Sequence, residues 1–103
     1  MQQKILKRVK NAVLKIEPSA EIILFGSRAR NDYTTASDWD FLILVDGDVD
    51  YVRTDRIRHL LHEIGWDTGE VLSCIVRSRI VWESPQYRVM PLYAEIKLEG
   101  IKI

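Results

Sequence analysis

The sequence predicts a small α/β (α+β) domain: a mixed sheet flanked by helices. Three observations lead there. Apolar residues recur at helical spacing in two separate segments. Three short apolar runs lie between and after them, each bounded by glycine or polar residues. The elements then alternate along one chain of 103 residues, which suits one domain and not two.

In the first helical segment, 4–16, Ile5, Leu6, Val9, Ala12, Val13 and Ile16 share one face. Lys4, Lys7, Arg8, Lys10 and Lys15 lie mostly elsewhere, and Pro18 closes the helix. A membrane-surface helix would show this pattern, and so would a packed helix with a solvated basic face. The packed reading is preferred, and no membrane partner is expected. "EIILF", 21–25, is a strand ended by Gly26. Ser27 to about Asp32 can form one helical turn, and 31–37 is loop by composition. "WDFLILV", 39–45, is apolar on both faces after Asp40 and reads as a central strand. Ile57, Leu60, Leu61 and Ile64 mark a helix over 53–64, with Gly65 as its stop. "EVLSCIV", 70–76, is the third strand. "WESPQY" is ambiguous. A last helix starts at Pro91, turns Leu92, Tyr93 and Ile96 inward, and stops at Gly100.

Composition excludes some classes. Fifteen basic and fifteen acidic residues cancel, so general nucleic-acid binding is not expected. The single cysteine, Cys74, allows no disulfide framework, so a cytoplasmic setting is expected. It sits in an apolar run and reads as a small core residue. No apolar stretch approaches the ~20 residues of a membrane span, and the interrupted N-terminal pattern is no signal peptide.

The chemistry concentrates in "FGSRARNDYTTASDWDF", 25–41. Strand alternation puts Asp38 and Asp40 on one face, where their carboxylates repel. A divalent cation relieves that repulsion. Gly26, directly after a strand, permits a turn and close backbone approach by a phosphate. Ser27 adds a hydroxyl and an amide, and Arg28 and Arg30 carry guanidinium donors. If strands 21–25 and 39–45 pair antiparallel, Gly26–Ser27 falls beside Asp38 and Asp40. Either half of the motif is common alone; the conjunction is rare.

"ILFGSRAR" followed by "SDWDFLILV" resembles the DNA polymerase beta nucleotidyltransferase superfamily, in particular its minimal nucleotidyltransferase branch. The resemblance implies a single nucleotidyltransferase domain over 1–103 with a palm-like fold. It implies Mg²⁺-dependent transfer of a nucleoside monophosphate from an NTP, ATP by expectation, to an acceptor hydroxyl. Gly26, Ser27 and Arg30 would hold the triphosphate, with Arg28 left between that role and solvent. Asp38 and Asp40 would bind two Mg²⁺ ions, for which Mn²⁺ can substitute. The family carries a third acid inside an apolar triplet on the next strand. Here only Glu70 offers itself, at the strand's start, with an exposed turn residue as the other reading. If strands two and three are parallel, Glu70 shares an edge with both aspartates and completes the catalytic set.

His59 and His62 lack a third metal ligand and read as solvated helix positions. Trp39, Trp66 and Trp82 read as core or rim rather than base-stacking residues. The resemblance also implies a protein partner, a HEPN-type toxin. The domain would nucleotidylate it or, alternatively, act as an antitoxin-like binding module with weak or no catalysis. An antibiotic-modifying transferase would usually need an added helical domain.

Overall fold

The computed structural model describes residues 2–103, with side chains from Lys4 onward. The elements run α1 (Gln2–Ile16), β1 (Glu21–Phe25), α2 (Ser27–Arg30), β2 (Trp39–Val45) and α3 (Tyr51–Thr68). They continue with β3 (Leu72–Ser78), α4 (Arg79–Trp82), α5 (Pro85–Arg88), α6 (Pro91–Glu99) and β4 (Ile101–Lys102). The four strands form one mixed sheet in the order β3-β2-β1-β4. β1 is antiparallel to β2 and β4, whereas β2 and β3 run parallel across the α3 crossover.

Alternation along β2 builds two layers. Trp39, Phe41, Ile43 and Val45 point toward α1 and α3, joining Val9, Val13, Ile57 and Leu61 in the main core. Leu42 and Leu44 point the other way and pack with Trp82 and Ile96 from the C-terminal helices. β2 is therefore buried on both faces, as a central strand should be. Trp39 and Trp82 are core residues, while Trp66 stands exposed on α3.

Two boundaries and one added strand differ from expectation. α3 does not stop at Gly65. It runs through it to Thr68 and ends at Gly69, whose φ of 75° supplies the left-handed cap. Gly65 is buried inside the helix because a Cβ there would lie 2.6 Å from the Glu70 carbonyl oxygen. β3 is displaced two residues, to Leu72–Ser78, so Glu70 precedes the strand instead of starting it. β4, only two residues long, pairs with Ile23 and Leu24 and is too short to leave a periodic signal.

The α1 apolar face is consumed by the core through Ile5, Val9 and Val13. At the start of α3, Asp50 caps the helix by accepting from the Arg53 amide at 2.8 Å. Arg53 in turn forks onto Glu17 just beyond α1, at 2.8 and 2.7 Å. The pair locks the two helices of that layer together and holds the Glu17 carboxyl below its ordinary range, chiefly through the Arg53 hydrogen bond.

Candidate active site

The register of β1 on β2 pairs Glu21 with Leu44 and Phe25 with Asp40. The chain thus leaves β1 beside the acidic start of β2. Gly26 turns there with φ 78°, a conformation that glycine adopts without cost. A Cβ on Gly26 would sit 2.6 Å from Asp40 Oδ2. The backbone of the Gly-Ser loop and the Asp40 carboxylate are therefore in contact. The Gly26 carbonyl accepts from the amides of Ala29 and Arg30 at 3.0 and 3.1 Å, which starts α2 and fixes Ser27 at its head.

Asp38 is exposed just before β2, and Asp40 is half-buried within it. Burial raises the Asp40 carboxyl above its ordinary range, with the charges of Asp38 and then Glu95 adding to the rise. Asp38, Asp40 and, from α6, Glu95 thus bring like charges toward one point. Glu95 lies far along the chain from the motif, and no sequence signal points to it.

The remaining candidates lie elsewhere. The Glu70 carboxylate accepts from Trp39 Nε1 at 3.3 Å and from Arg28 at 3.5 Å. Trp39 faces α1, away from the side that carries Asp40, so the structure does not bring Glu70 to the aspartates. The β3 residue registered against Asp40 is Ser73, in the middle of the apolar triplet Leu72–Ser73–Cys74. Among the described residues, no group of three or more His, Cys, Asp and Glu side chains could hold a metal ion.

Arg28 does not face solvent. It is buried at 7% exposure, stacked between Tyr33 and Trp39 at 4.5 and 4.3 Å, and donates to the Ser37 carbonyl at 3.3 and 3.0 Å. It braces the loop that carries Asp38. Arg30 is half-exposed and held by Asp32, Glu95 and Glu99 at 3.1, 3.2 and 3.4 Å. Its donors are thus engaged by acids of its own chain.

His59 pairs with Glu63 at 2.9 Å on the exposed face of α3, next to the edge of Trp66. The Cys74 thiol is pushed up by burial, which suits a packing residue and not a nucleophile.

The nucleotidyltransferase domain family matches residues 6–98, nearly the whole chain. The chain belongs to the nucleotidyltransferase domain family. A curated relative from Methanocaldococcus jannaschii, named "Putative protein adenylyltransferase", is 50% identical over 58 residues. That match covers 56% of this chain and 53% of the relative, so the chain spans about half the length of the relative it matches. Two crystal structures share the fold. One, described as a toxin–antitoxin with AMP-PNP, has a TM-score of 0.63 at 15% identity, covering 99% of this chain and 72% of that one. The other, a mutant of the toxin–antitoxin MntA–HpeT, has a TM-score of 0.62 at 16% identity, covering 99% and 71%. No described helix is long and apolar enough to cross a membrane.

Proposed function

We propose that this nucleotidyltransferase domain moves a nucleoside monophosphate from ATP to a hydroxyl on a partner protein. The observation that carries the proposal is the contact between Gly26 and Asp40. A glycine loop able to take phosphate and a carboxylate able to take a cation touch at one place. In this reading the Gly26 backbone and the Ser27 hydroxyl receive the triphosphate. Arg30 contributes once the phosphates compete it away from Glu95 and Glu99.

The donor set fits a divalent cation. Asp38 and Asp40 repel at the start of β2, and magnesium commonly takes one or two carboxylates and completes its shell with water and phosphate oxygen. Magnesium, or manganese in its place, would neutralise phosphate charge and acidify the acceptor hydroxyl there. The acceptor oxygen bonds to the α-phosphorus as the bond to pyrophosphate breaks, and the hydroxyl proton is lost to water. The chain's residues need only hold the reactants in line. Glu70 acts as a brace for Arg28 and Trp39 in this reading.

A partner of HEPN type, in a toxin–antitoxin pair, is the acceptor we favour, since the fold's solved neighbours are described as toxin–antitoxin assemblies. Ser73 opposite Asp40 favours a second reading, in which the domain binds nucleotide and partner with weak or no transfer.

The test is incubation of the protein with ATP labelled at the α- or the γ-phosphate, Mg²⁺ and host lysate. The α-label should become protein-bound and the γ-label should not. Asp38→Asn with Asp40→Asn should abolish it. Transfer that persists in the double variant overturns the proposal, and tight partner binding without label supports the second reading.

A further inference from the structure

On the opposite layer from the aspartates, α1 and the 33–39 segment enclose a groove of about 1060 Å³. Its floor is apolar, formed by Ile5, Ala12 and the buried Trp39. Its rim is basic. Lys4, Lys7, Arg8 and Lys15 line it, with the buried Arg28 deeper in and Glu70 as the one acid among the described lining residues. Arg8 pairs with Asp67 across the end of α3. The three lysines form no ion pair among the described residues. In a chain whose charges cancel overall, this is a concentration of one sign around a concavity. A solvated helix face would hold its charges over open water; here they ring an apolar floor.

We infer that this groove seats an acidic segment of a partner protein that carries an apolar stripe. The apolar floor takes the stripe and the lysine rim takes the carboxylates. The rim from Lys4 to Lys15 is about 16 Å long at helical rise, the length of roughly three turns of a docked helix.

A polynucleotide fits less well. Single strands are held by stacking bases on open aromatic faces, and here the Tyr33 and Trp39 rings already stack on Arg28. A membrane fits less well still, because the apolar side of α1 is spent in the core. The groove lies outside the aspartate face, so the inference stands apart from the catalytic reading. The two surfaces are nonetheless neighbours along the chain. Arg28 follows Ser27, and Trp39 separates Asp38 from Asp40.

The test is an amide-resolved NMR titration of the whole chain with three probes: a short amphipathic peptide of leucine and glutamate, its leucine–lysine analogue, and an oligoadenylate strand. The leucine–glutamate peptide should shift the amides of Arg8, Asn11, Thr35 and Glu70, and the lysine analogue should not. Lys4→Glu, Lys7→Glu and Lys15→Glu together should weaken binding at least about tenfold, with spectral dispersion showing that the fold is kept. Neutral Lys→Gln replacements should give an intermediate loss. Asp38→Asn with Asp40→Asn should leave peptide binding unchanged, whatever becomes of nucleotide transfer. No groove shifts with the acidic peptide, equal shifts with the basic one, or unchanged affinity in the charge-reversed variant would overturn the inference. Tighter binding of oligoadenylate through the same lysines would also overturn it and reassign the groove to nucleic acid.

Discussion

Asp40→Asn should make the metal-free protein more stable while removing its response to Mg²⁺. Asp38, just before β2, and Asp40, within it, stand two residues apart, about 6.6 Å at strand rise. Two unit charges at that distance repel by ~0.6 kcal/mol in bulk water and ~2.5 kcal/mol at an effective dielectric constant of about 20. Asp38 is exposed and Asp40 half-buried, which places the relief near the lower end, about 1 kcal/mol. For a domain of this size that is an increase of roughly 4–8 °C in Tm. The sign with pH follows from the raised Asp40 carboxyl. The folded state binds this proton more tightly than the unfolded state, so wild-type stability falls as pH rises through the ordinary carboxylate range to the raised value. The variant's advantage should be absent below that window and complete above it. Thermal melts in EDTA and in Mg²⁺, at acid and neutral pH, measure this. A variant less stable than wild type in EDTA at neutral pH, or equally stabilised by Mg²⁺, would refute the reasoning.

Other substitutions probe the frame around the site. Gly26→Ala forces a side chain into an extended positive-φ conformation that suits only glycine, and against Asp40, so it should cost about 1–3 kcal/mol in chemical denaturation and weaken ATP more than adenosine in competition binding. Gly65→Ala, normally favourable in a helix, should instead destabilise by about 1–3 kcal/mol, because its Cβ meets the Glu70 carbonyl; a raised denaturation midpoint would contradict this. Glu17→Gln removes a charged fork that is largely buried and should cost about 2 kcal/mol at neutral pH. The Glu17 carboxyl is lowered in the fold, so its contribution is present above the unfolded pKa and disappears as pH falls through the folded value. Wild type and Glu17→Gln should therefore converge in acid melts. Glu95→Gln with Glu99→Gln removes the two acids on Arg30 Nη1 while Asp32 keeps its hold on Nε, and should tighten ATP binding a few-fold by calorimetry, without affecting adenosine.

Much of the frame is legible in the sequence because it rests on local signals. Uninterrupted apolar runs, ending at Gly26 and opening at Asp40, bound β1 and β2. The pairing that joins the Gly-Ser loop to the aspartates follows from the short connection and the strand lengths. Pro91 and Gly100 mark α6 at both ends. Where sequence and structure part, tertiary packing decides the outcome. Gly65 looks like a stop but serves a close backbone approach. β3 extends through Arg77 and Ser78 because an edge strand tolerates polar residues, Arg77 bonding to Tyr87 at 2.9 Å. A four-residue helix carries no periodicity, so the burial of Arg28 between two rings leaves no trace in the pattern. Glu95 and Glu99 lie more than sixty residues from Arg30, and no spacing rule connects them. Glu70 shares the expected edge of the sheet but not its face, a distinction set by its position ahead of β3.

The central claim is that the Gly26–Ser27 loop and the Asp38–Asp40 pair form one metal-dependent triphosphate site. Calorimetric titration with a non-hydrolysable ATP analogue tests it most directly, in Mg²⁺ and in EDTA, on wild type and on Asp38→Asn with Asp40→Asn. The account predicts strong binding only for wild type in Mg²⁺. Chelating the metal or replacing the aspartates should each weaken binding at least about tenfold, because removing one charge-assisted interaction costs about 1.5–3 kcal/mol. Equal affinity in EDTA, or in the double variant, would contradict it.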